Sequence, residues 1–144
     1  MGSDIIYIHY GDDQFRRITP ICNHPWLTKP CGGLWASREH DPLGWKSWCE
    51  GEEFRLDTFD RYFRFTLKPG AKVLTLSHED QLKDLPTLYT EVFSRNKTYF
   101  LDFEKLSQRY DAIEIVDIGN LYWPLYAWDC NCILVMNPDI VEVL

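Results

Sequence analysis

Short β-rich segments separated by turn residues constrain the fold of this chain most strongly. Residues 62–67 (YFRFTL) alternate two sets of side chains with a period of two, which is typical of a β-strand. Residues 132–136 (CILVM) form a continuous apolar run, which predicts a central strand buried on both faces. Further β-rich segments lie at 5–10, 32–37, 72–76, 112–116 and 140–144, and turn signals rich in Gly, Pro, Asn or Asp separate several of them.

Helical features lie between these strands. Trp45, Trp48 and Cys49 are spaced to share one helical face, and residues 102–110 (DFEKLSQRY) also place their apolar residues on one side of a helix. Ser77 is a candidate cap for a helix that runs to about residue 85, because an acid follows three residues later. Residues 87–98 are expected to be partly helical.

The order of these segments predicts the fold class. Strands predominate at both ends and helices lie between them, which indicates an α+β protein. The chain has 144 residues and no interdomain linker, so residues 1–144 are expected to form a single domain.

Charge and cysteine content limit the classes of partner and compartment. The formal net charge of −7, without a run of basic residues, argues against general nucleic-acid binding. Five cysteines are an odd number for a secreted disulfide framework, and residues 1–10 lack a secretory signal pattern. No apolar stretch has the length of a membrane span. We therefore expect a cytoplasmic protein with free thiols and no membrane partner.

Aromatic side chains make up 15% of the sequence, and six of them are Trp. Such large apolar surfaces must lie in the core, in a ligand-binding wall or in an interface. One interpretation is a slot for a flat heterocyclic ligand, and the other is ordinary packing of the core. The residue pattern leaves both open for the aromatic residues near glycines and polar breaks, which are Tyr10, Trp35, Trp45, Trp48, Trp123 and Trp128.

Motifs for other chemistry are weak. The pairs Cys22-x-His24 and Cys130-x-Cys132 do not have the spacing that zinc knuckles prefer, so no metal site is predicted. Cys49 is a candidate nucleophile with one of four His residues as base, but no local signature of a hydrolase accompanies it. Glycine-rich phosphate-binding motifs are also lacking.

Two resemblances narrow these alternatives. The segments KPCGGLWAS (29–37) and WKSWCEGEEF (45–54), with YDAIEI (110–115) further along, resemble a group of bacterial and phage proteins that share KPxGLWxS and WxxWCxxEEF motifs. That resemblance covers most of the chain and implies no particular activity.

The order of motifs also resembles the ADP-ribosyltransferases of the diphtheria toxin and poly-ADP-ribose polymerase type. Residues 6–11 (IYIHYG) are similar to the family's first strand, which carries a His followed by Gly. Residues 33–37 (GLWAS) are similar to its Gly-Ile-Tyr-Phe-Ala strand, with Trp35 in place of the stacking Tyr. Residues 45–48 (WKSW) occupy the place of the helix with a second stacking aromatic residue. The resemblance implies a compact split β-sheet with a few short helices.

The family's catalytic Glu has no direct counterpart. Asn131 aligns with it and carries no negative charge, whereas that Glu stabilises a positively charged transition state. Asp129, two residues earlier and expected on the same strand face, is the first substitute, and Glu114 on the neighbouring predicted strand is the second. A surface or capping role for Asp129 remains an alternative.

The resemblance implies NAD as the substrate and transfer of ADP-ribose to an unknown acceptor, expected to be a protein. His9 would bind the adenosine ribose, Gly33 the nicotinamide amide, and Trp35 with Trp48 the nicotinamide ring. The alternative is a non-enzymatic interaction module of phage or bacterial origin with an exposed aromatic surface. The implied catalytic residues are Asp129, His9 and Glu114, and the implied NAD-binding residues are His9, Tyr10, Gly11, Gly33, Leu34, Trp35, Ser37, Trp45, Trp48 and Asn131.

Overall fold

A mixed β-sheet organises the computed structural model, which describes residues 5–24, 27–88, 100–121, 124–125 and 128–144. Trp123 and nearly all of the segment 87–98, predicted to be partly helical, lie outside the described residues. Within those ranges the chain contains seven strands and two α-helices, so the predicted α+β class is confirmed.

Each predicted strand is present to within two residues at either end. The strands are β1 (Tyr7–Tyr10), β2 (Leu34–Arg38), β3 (Tyr62–Leu67), β4 (Val73–Leu76), β5 (Ala112–Ile115), β6 (Cys132–Val135) and β7 (Val141–Val143). The helices are α1 (Trp45–Glu52) and α2 (Phe103–Arg109), with short 3₁₀ helices at Leu56–Thr58, Glu79–Leu82, Ile118–Asn120 and Pro138–Ile140. The Asp102 carboxylate caps α2 by accepting the Lys105 N–H at 3.2 Å.

The strands form one sheet in the order β4-β5-β6-β2-β1-β3-β7. The β4–β5 pair is parallel and the other neighbours are antiparallel. Strand β6 enters the middle of the sheet, between β5 and β2, although it comes late in the sequence. It contributes Cys132 and Leu134 to one hydrophobic cluster and Ile133 and Val135 to another. Both faces of β6 are therefore buried, which explains its continuous apolar sequence.

The helix predicted from residue 77 to about 85 is wrong. The chain forms only the 3₁₀ helix Glu79–Leu82, in which Leu82 is buried. Its cap is His78, whose Nδ1 accepts the Asp80 N–H at 3.1 Å, and not Ser77. Gln81 turns back and accepts the backbone N–H of His78 at 3.0 Å, which completes a capping box after a single turn. Within the described ranges, no helix is long and apolar enough to cross a membrane.

Candidate functional site

A cavity opens where strands β1 and β2 stop pairing. Their register joins Tyr7 to Arg38 and Ile8 to Ser37 and then ends. Beyond this point His9 still pairs with β3, and β2 still pairs with β6. The two halves of the sheet therefore separate from His9 onward, beside a cavity of about 420 Å³. This volume lies in the range of small-molecule sites.

Four separate parts of the chain bring predicted residues to this cavity. Strand β1 and the turn after it provide one group, β2 and α1 provide the aromatic walls, and the loop before β6 provides an acid. The predicted residues that line the cavity are His9, Tyr10, Gly11, Trp35, Trp45, Trp48 and Asp129.

The indole rings in the walls are held by packing against other aromatic rings. Trp45 and Trp48 stack with centroids 5.3 Å apart and planes at 16°, and Phe54 packs edge-on against Trp48 at 5.7 Å. Trp35 packs edge-on against Trp128 at 4.8 Å. Such offset and edge-to-face pairs are favourable arrangements, so the walls are formed before any ligand binds.

His9 connects the two diverging strands. Its Nδ1 donates a hydrogen bond to the Trp35 carbonyl at 2.6 Å, because a carbonyl oxygen can only accept. Its Nε2 lies 3.1 Å from Oδ2 of Asp12, whose side chain is 69% exposed. Nε2 is thus the ring atom that can exchange an exposed partner for a ligand hydroxyl.

Asp129 lines the cavity from a turn and not from a strand. Its φ is 61°, in the left-handed region that Asp tolerates better than most residues, and β6 begins only at Cys132. The expectation that Asp129 and Asn131 share a strand face is therefore wrong. Burial raises the pKa of the Asp129 carboxyl, as does the nearby charge of Glu52, while Lys29 partly opposes the shift. Among the described residues, no hydrogen bond to this carboxylate is present.

Two cationic residues that the sequence analysis did not select also line the cavity. The Lys29 Nζ lies 5.8 Å from the centroid of the Trp35 ring, and the Arg55 guanidinium lies 5.4 Å from that of Phe54. Lys29 is part of the KPCGGLWAS segment, which was a usable signal. Arg55 follows the second motif directly, and no pattern in its own neighbourhood indicated a binding role.

Glu114 does not reach the cavity. The register places it beside Ile133 on β6, on the opposite sheet face from Trp35 and its partner Leu134. Its buried carboxylate accepts hydrogen bonds from Arg38 at 2.7 and 3.1 Å and from the Tyr7 hydroxyl at 3.0 Å. The geometry therefore gives no support to the prediction of Glu114 as a catalytic carboxylate, because its charge is compensated by Arg38 away from the cavity.

Asn131 and Ser37 support the site without lining the cavity. The Asn131 Oδ1 accepts the Ile118 N–H at 2.7 Å, and its Nδ2 contacts Asp41 Oδ2 at 3.4 Å. The Ser37 hydroxyl donates to the Asn131 carbonyl at 2.9 Å and accepts the Trp45 N–H at the same distance. These contacts join β2, α1 and the chain before β6, and they give no support to the predicted binding role of Asn131 and Ser37.

Gly33 and Leu34 are also outside the cavity. The Gly33 N–H donates to the Thr19 carbonyl at 2.9 Å and is not available to a ligand amide. Its φ is 75°, and an added Cβ would overlap the Leu134 side chain and lie 3.0 Å from the Val135 carbonyl oxygen. Leu34 is buried in the cluster that includes Val135. Gly33 and Leu34 pack against β6, and this position gives no support to their predicted contact with NAD.

The structure does not support Cys49 as a nucleophile. It is fully buried, and burial together with the neighbouring Cys130 raises the pKa of its thiol to about 11. Thiolate is the reactive form, so such a thiol is inert at neutral pH. Among the described residues, no group of three or more His, Cys, Asp or Glu side chains is arranged to hold a metal ion.

Comparisons with known proteins give no indication of a function for this chain. Neither the protein-family models, nor the curated proteins, nor the solved structures searched contain a match to the chain. Any function must therefore be argued from the cavity and the residues that line it.

Proposed function

We propose that the cavity binds NAD and that the chain is an ADP-ribosyltransferase-like protein. One observation carries the proposal: His9, Trp35, Trp48 and Asp129, which the resemblance selected from four distant segments, all line the same cavity. Their shared position is informative because residues 9, 35, 48 and 129 are far apart in sequence, so no local structure brings all four together.

The aromatic walls suit the nicotinamide end of NAD. In oxidised NAD this ring is flat and positively charged, and indole faces attract such cations. Trp35 and the stacked Trp45–Trp48 pair offer these faces, and Asp129 adds a negative charge. A half-buried carboxylate with no hydrogen-bond donor among the described residues gains most from a cationic ligand, which favours the charged form that burial disfavours.

Other lining groups suit the remaining parts of the dinucleotide. Lys29 and Arg55 would pair with the pyrophosphate, for which cationic side chains are the usual partners. The His9 Nε2 would bind a ribose hydroxyl in place of Asp12. The separation of β1 from β2 is also consistent with the split sheet that the resemblance implies.

The chemistry follows from the placement of Asp129. The bond between ribose C1′ and the nicotinamide nitrogen breaks, and its electron pair leaves with nicotinamide. The Asp129 carboxylate stabilises the positive charge that develops on the ribose. A nucleophile on the acceptor, which we expect to be a protein, then bonds to C1′ and loses its proton.

Asp129→Asn tests this role of the carboxylate. We expect the variant to bind NAD in calorimetry and to release nicotinamide about 100-fold more slowly, because one electrostatic stabiliser of the transition state is lost. Asp84→Asn is the matched control, since Asp84 is an exposed acid that does not line the cavity. Absence of NAD binding by the unmodified protein would reject the proposal, and equal release by both variants would reject the role of Asp129.

Exposed apolar side chains near the cavity favour the alternative, an interaction module. Phe54 and Leu56 are 42% and 49% exposed, and Phe54 also lines the cavity. A protein partner docked there would be released by Trp35→Ala but would be unaffected by Asp129→Asn. The two substitutions therefore distinguish a binding surface from a catalytic site.

A further inference from the structure

Cys22 and Cys31 lie directly opposite each other on neighbouring chain segments. The Cys22 N–H donates to the Cys31 carbonyl at 3.1 Å, and the Cys31 N–H donates to the Cys22 carbonyl at 2.8 Å. This reciprocal exchange defines a hydrogen-bonded antiparallel pair, in which the Cα atoms are about 5.5 Å apart and both side chains leave on the same side. Both thiols are free and exposed.

This spacing meets the main requirement for a disulfide, because bridged cysteines have Cα atoms roughly 4.4–6.8 Å apart. We propose that Cys22 and Cys31 form a reversible disulfide by exchange with a low-molecular-weight disulfide such as oxidised glutathione. The Cβ atoms of such opposed residues are about 4.5–5.5 Å apart, slightly more than an unstrained bond prefers. The bond is therefore expected to be more easily reduced than a structural disulfide.

Neighbouring contacts hold this pair in place. Asn23 accepts the Phe103 N–H at 2.8 Å and donates to Asp102 Oδ1 at 3.0 Å, which fixes the chain after Cys22 to the start of α2. The Gly33 N–H donates to the Thr19 carbonyl and continues the pairing of the two segments. The pair is thus preorganised by backbone and side-chain hydrogen bonds that do not depend on the sulfur atoms.

The remaining cysteines differ in access. Cys49, Cys130 and Cys132 are buried, so a soluble disulfide reaches them less readily than the exposed pair, although Cys130 and Cys132 border the cavity. Burial raises the pKa of the Cys49 thiol, which also makes it a poor attacking group. The three buried thiols therefore serve as an internal control for the exposed pair.

Oxidised glutathione is the only oxidant that the reaction needs. The thiolate of one cysteine attacks a sulfur of oxidised glutathione and displaces one glutathione thiolate, which leaves a mixed disulfide. The second cysteine then attacks the protein sulfur, forms the Cys22–Cys31 bond and displaces the second glutathione. The two protein thiols lose two protons and two electrons, and the oxidant is reduced to two thiols.

The bond would act on one wall of the cavity. The segment between the two cysteines carries Thr28, whose carbonyl accepts the Trp128 indole N–H at 2.9 Å, and Lys29, whose Nζ lies near the Trp35 ring. A bond between Cys22 and Cys31 limits how far this segment can move away from Trp128. The proposal goes beyond NAD binding and holds whether or not the cavity takes that ligand.

Thiol counting tests the bond. The protein is incubated with oxidised glutathione, denatured, alkylated and measured by intact mass and peptide mapping. We expect the alkylatable thiols to fall from five to three, with a linked pair of peptides that contain Cys22 and Cys31. Cys22→Ser should instead leave a glutathione adduct on Cys31, since no resolving thiol remains. Five free thiols, or stable adducts on both cysteines of the unmodified protein, would overturn the proposal.

Hydrogen exchange tests the effect on the cavity. We expect oxidation to slow amide exchange in residues 27–31 of the unmodified protein and to leave these amides unchanged in Cys22→Ser. Return of the original rate after reduction would confirm reversibility. A linked pair that forms without slower exchange in this segment would contradict the coupling to the cavity wall.

Discussion

Trp35 contributes both to the strand contacts beside the cavity and to the aromatic lining of the cavity. Its carbonyl accepts the His9 hydrogen bond, and its ring packs edge-on against Trp128 and lies beneath Lys29. Every residue has a backbone carbonyl, so this contact remains possible in any variant, whereas the indole ring is lost. Substitutions at this position therefore change the lining of the cavity without removing the hydrogen bond between β1 and β2.

Trp35→Ala should weaken NAD binding roughly 10- to 100-fold, because a stacked aromatic side chain contributes about 1–3 kcal/mol per base. Trp35→Phe is the matched variant and should retain most of the affinity, since it keeps an aromatic face. Titration calorimetry with NAD measures both. Equal losses in the two variants would show that the ring does not stack on the ligand.

The Asp129 carboxyl gives a pH dependence of stability with a definite sign. Burial raises its folded-state pKa above the usual 3.8, so the folded protein binds this proton more tightly than the unfolded chain does. The contribution of Asp129 to stability is therefore fully present below pH 3.8 and is lost as pH rises through the folded pKa. Asp129→Asn should raise the melting temperature at pH 7, and this gain should shrink as the pH falls toward 4. A melting temperature that is unchanged at pH 7 would contradict the sign.

Local motifs in the sequence selected several residues that line the cavity. The sequence did not indicate the role of residues whose contacts lie far away along the chain. His9, Trp35 and Trp48 were selected by their local motifs, and all three line the cavity. Glu114 was selected as an acid on a neighbouring predicted strand and Asn131 by alignment with the family's Glu, but the side chains of both have partners outside the cavity. Their partners Arg38 and Asp41 lie 76 and 90 residues away in sequence, so no local pattern indicates these contacts.

At the scale of elements, periodicity located the strands because alternation and apolar runs reflect which faces become buried. The capping signal at Ser77 was misleading for residues 77–85, where one buried residue, Leu82, is enough to hold a single 3₁₀ turn. The expected strand position of Asp129, taken from the alignment of Asn131, was wrong as well, because its left-handed backbone leaves no trace in the residue types around it.

The approach of β2 to β6 predicts a contrast between two glycines. Gly33 and Gly70 have φ angles of 75° and 87°, but only an added Cβ at Gly33 meets neighbouring atoms. Gly70→Ala should destabilise the protein by about 1–2 kcal/mol through backbone strain alone. Gly33→Ala should cost roughly 1–3 kcal/mol more, because it also overpacks the contact with Leu134 and Val135. Urea denaturation measures both, and equal costs would argue against this close contact.

At the scale of the whole molecule, the sheet order predicts a gradient of local stability. Strands β5 and β6 are paired on both sides and fully buried, whereas β4 and β7 lie at the edges. Amide exchange should be slowest in β5 and β6 and fastest in β7, because the least buried and least paired elements open most readily. Mass spectrometry of exchanged peptides measures this order. Protection of β7 equal to that of β6 would contradict the gradient.

The sheet order itself was outside the reach of sequence reasoning. Local patterns identify strands but not their neighbours, and the parallel β4–β5 pair and the insertion of β6 depend on contacts between distant segments. The cavity could not be predicted from the sequence for the same reason. It lies where β1 and β2 separate, and only two residue pairs join those strands.

The central place of β6 has a consequence for the order of biosynthesis. Until residues 132–135 have left the ribosome, the β4–β5 pair and the β2-β1-β3 group have no strand to join them, and each presents an unpaired inner edge. Asp129 emerges just before that strand, so the acid and the two separated walls come together in one step, when β6 pairs with its neighbours. A nascent chain would therefore acquire this cavity only after residues 132–135 have emerged, and ribosome-stalled chains of increasing length would show where that step occurs.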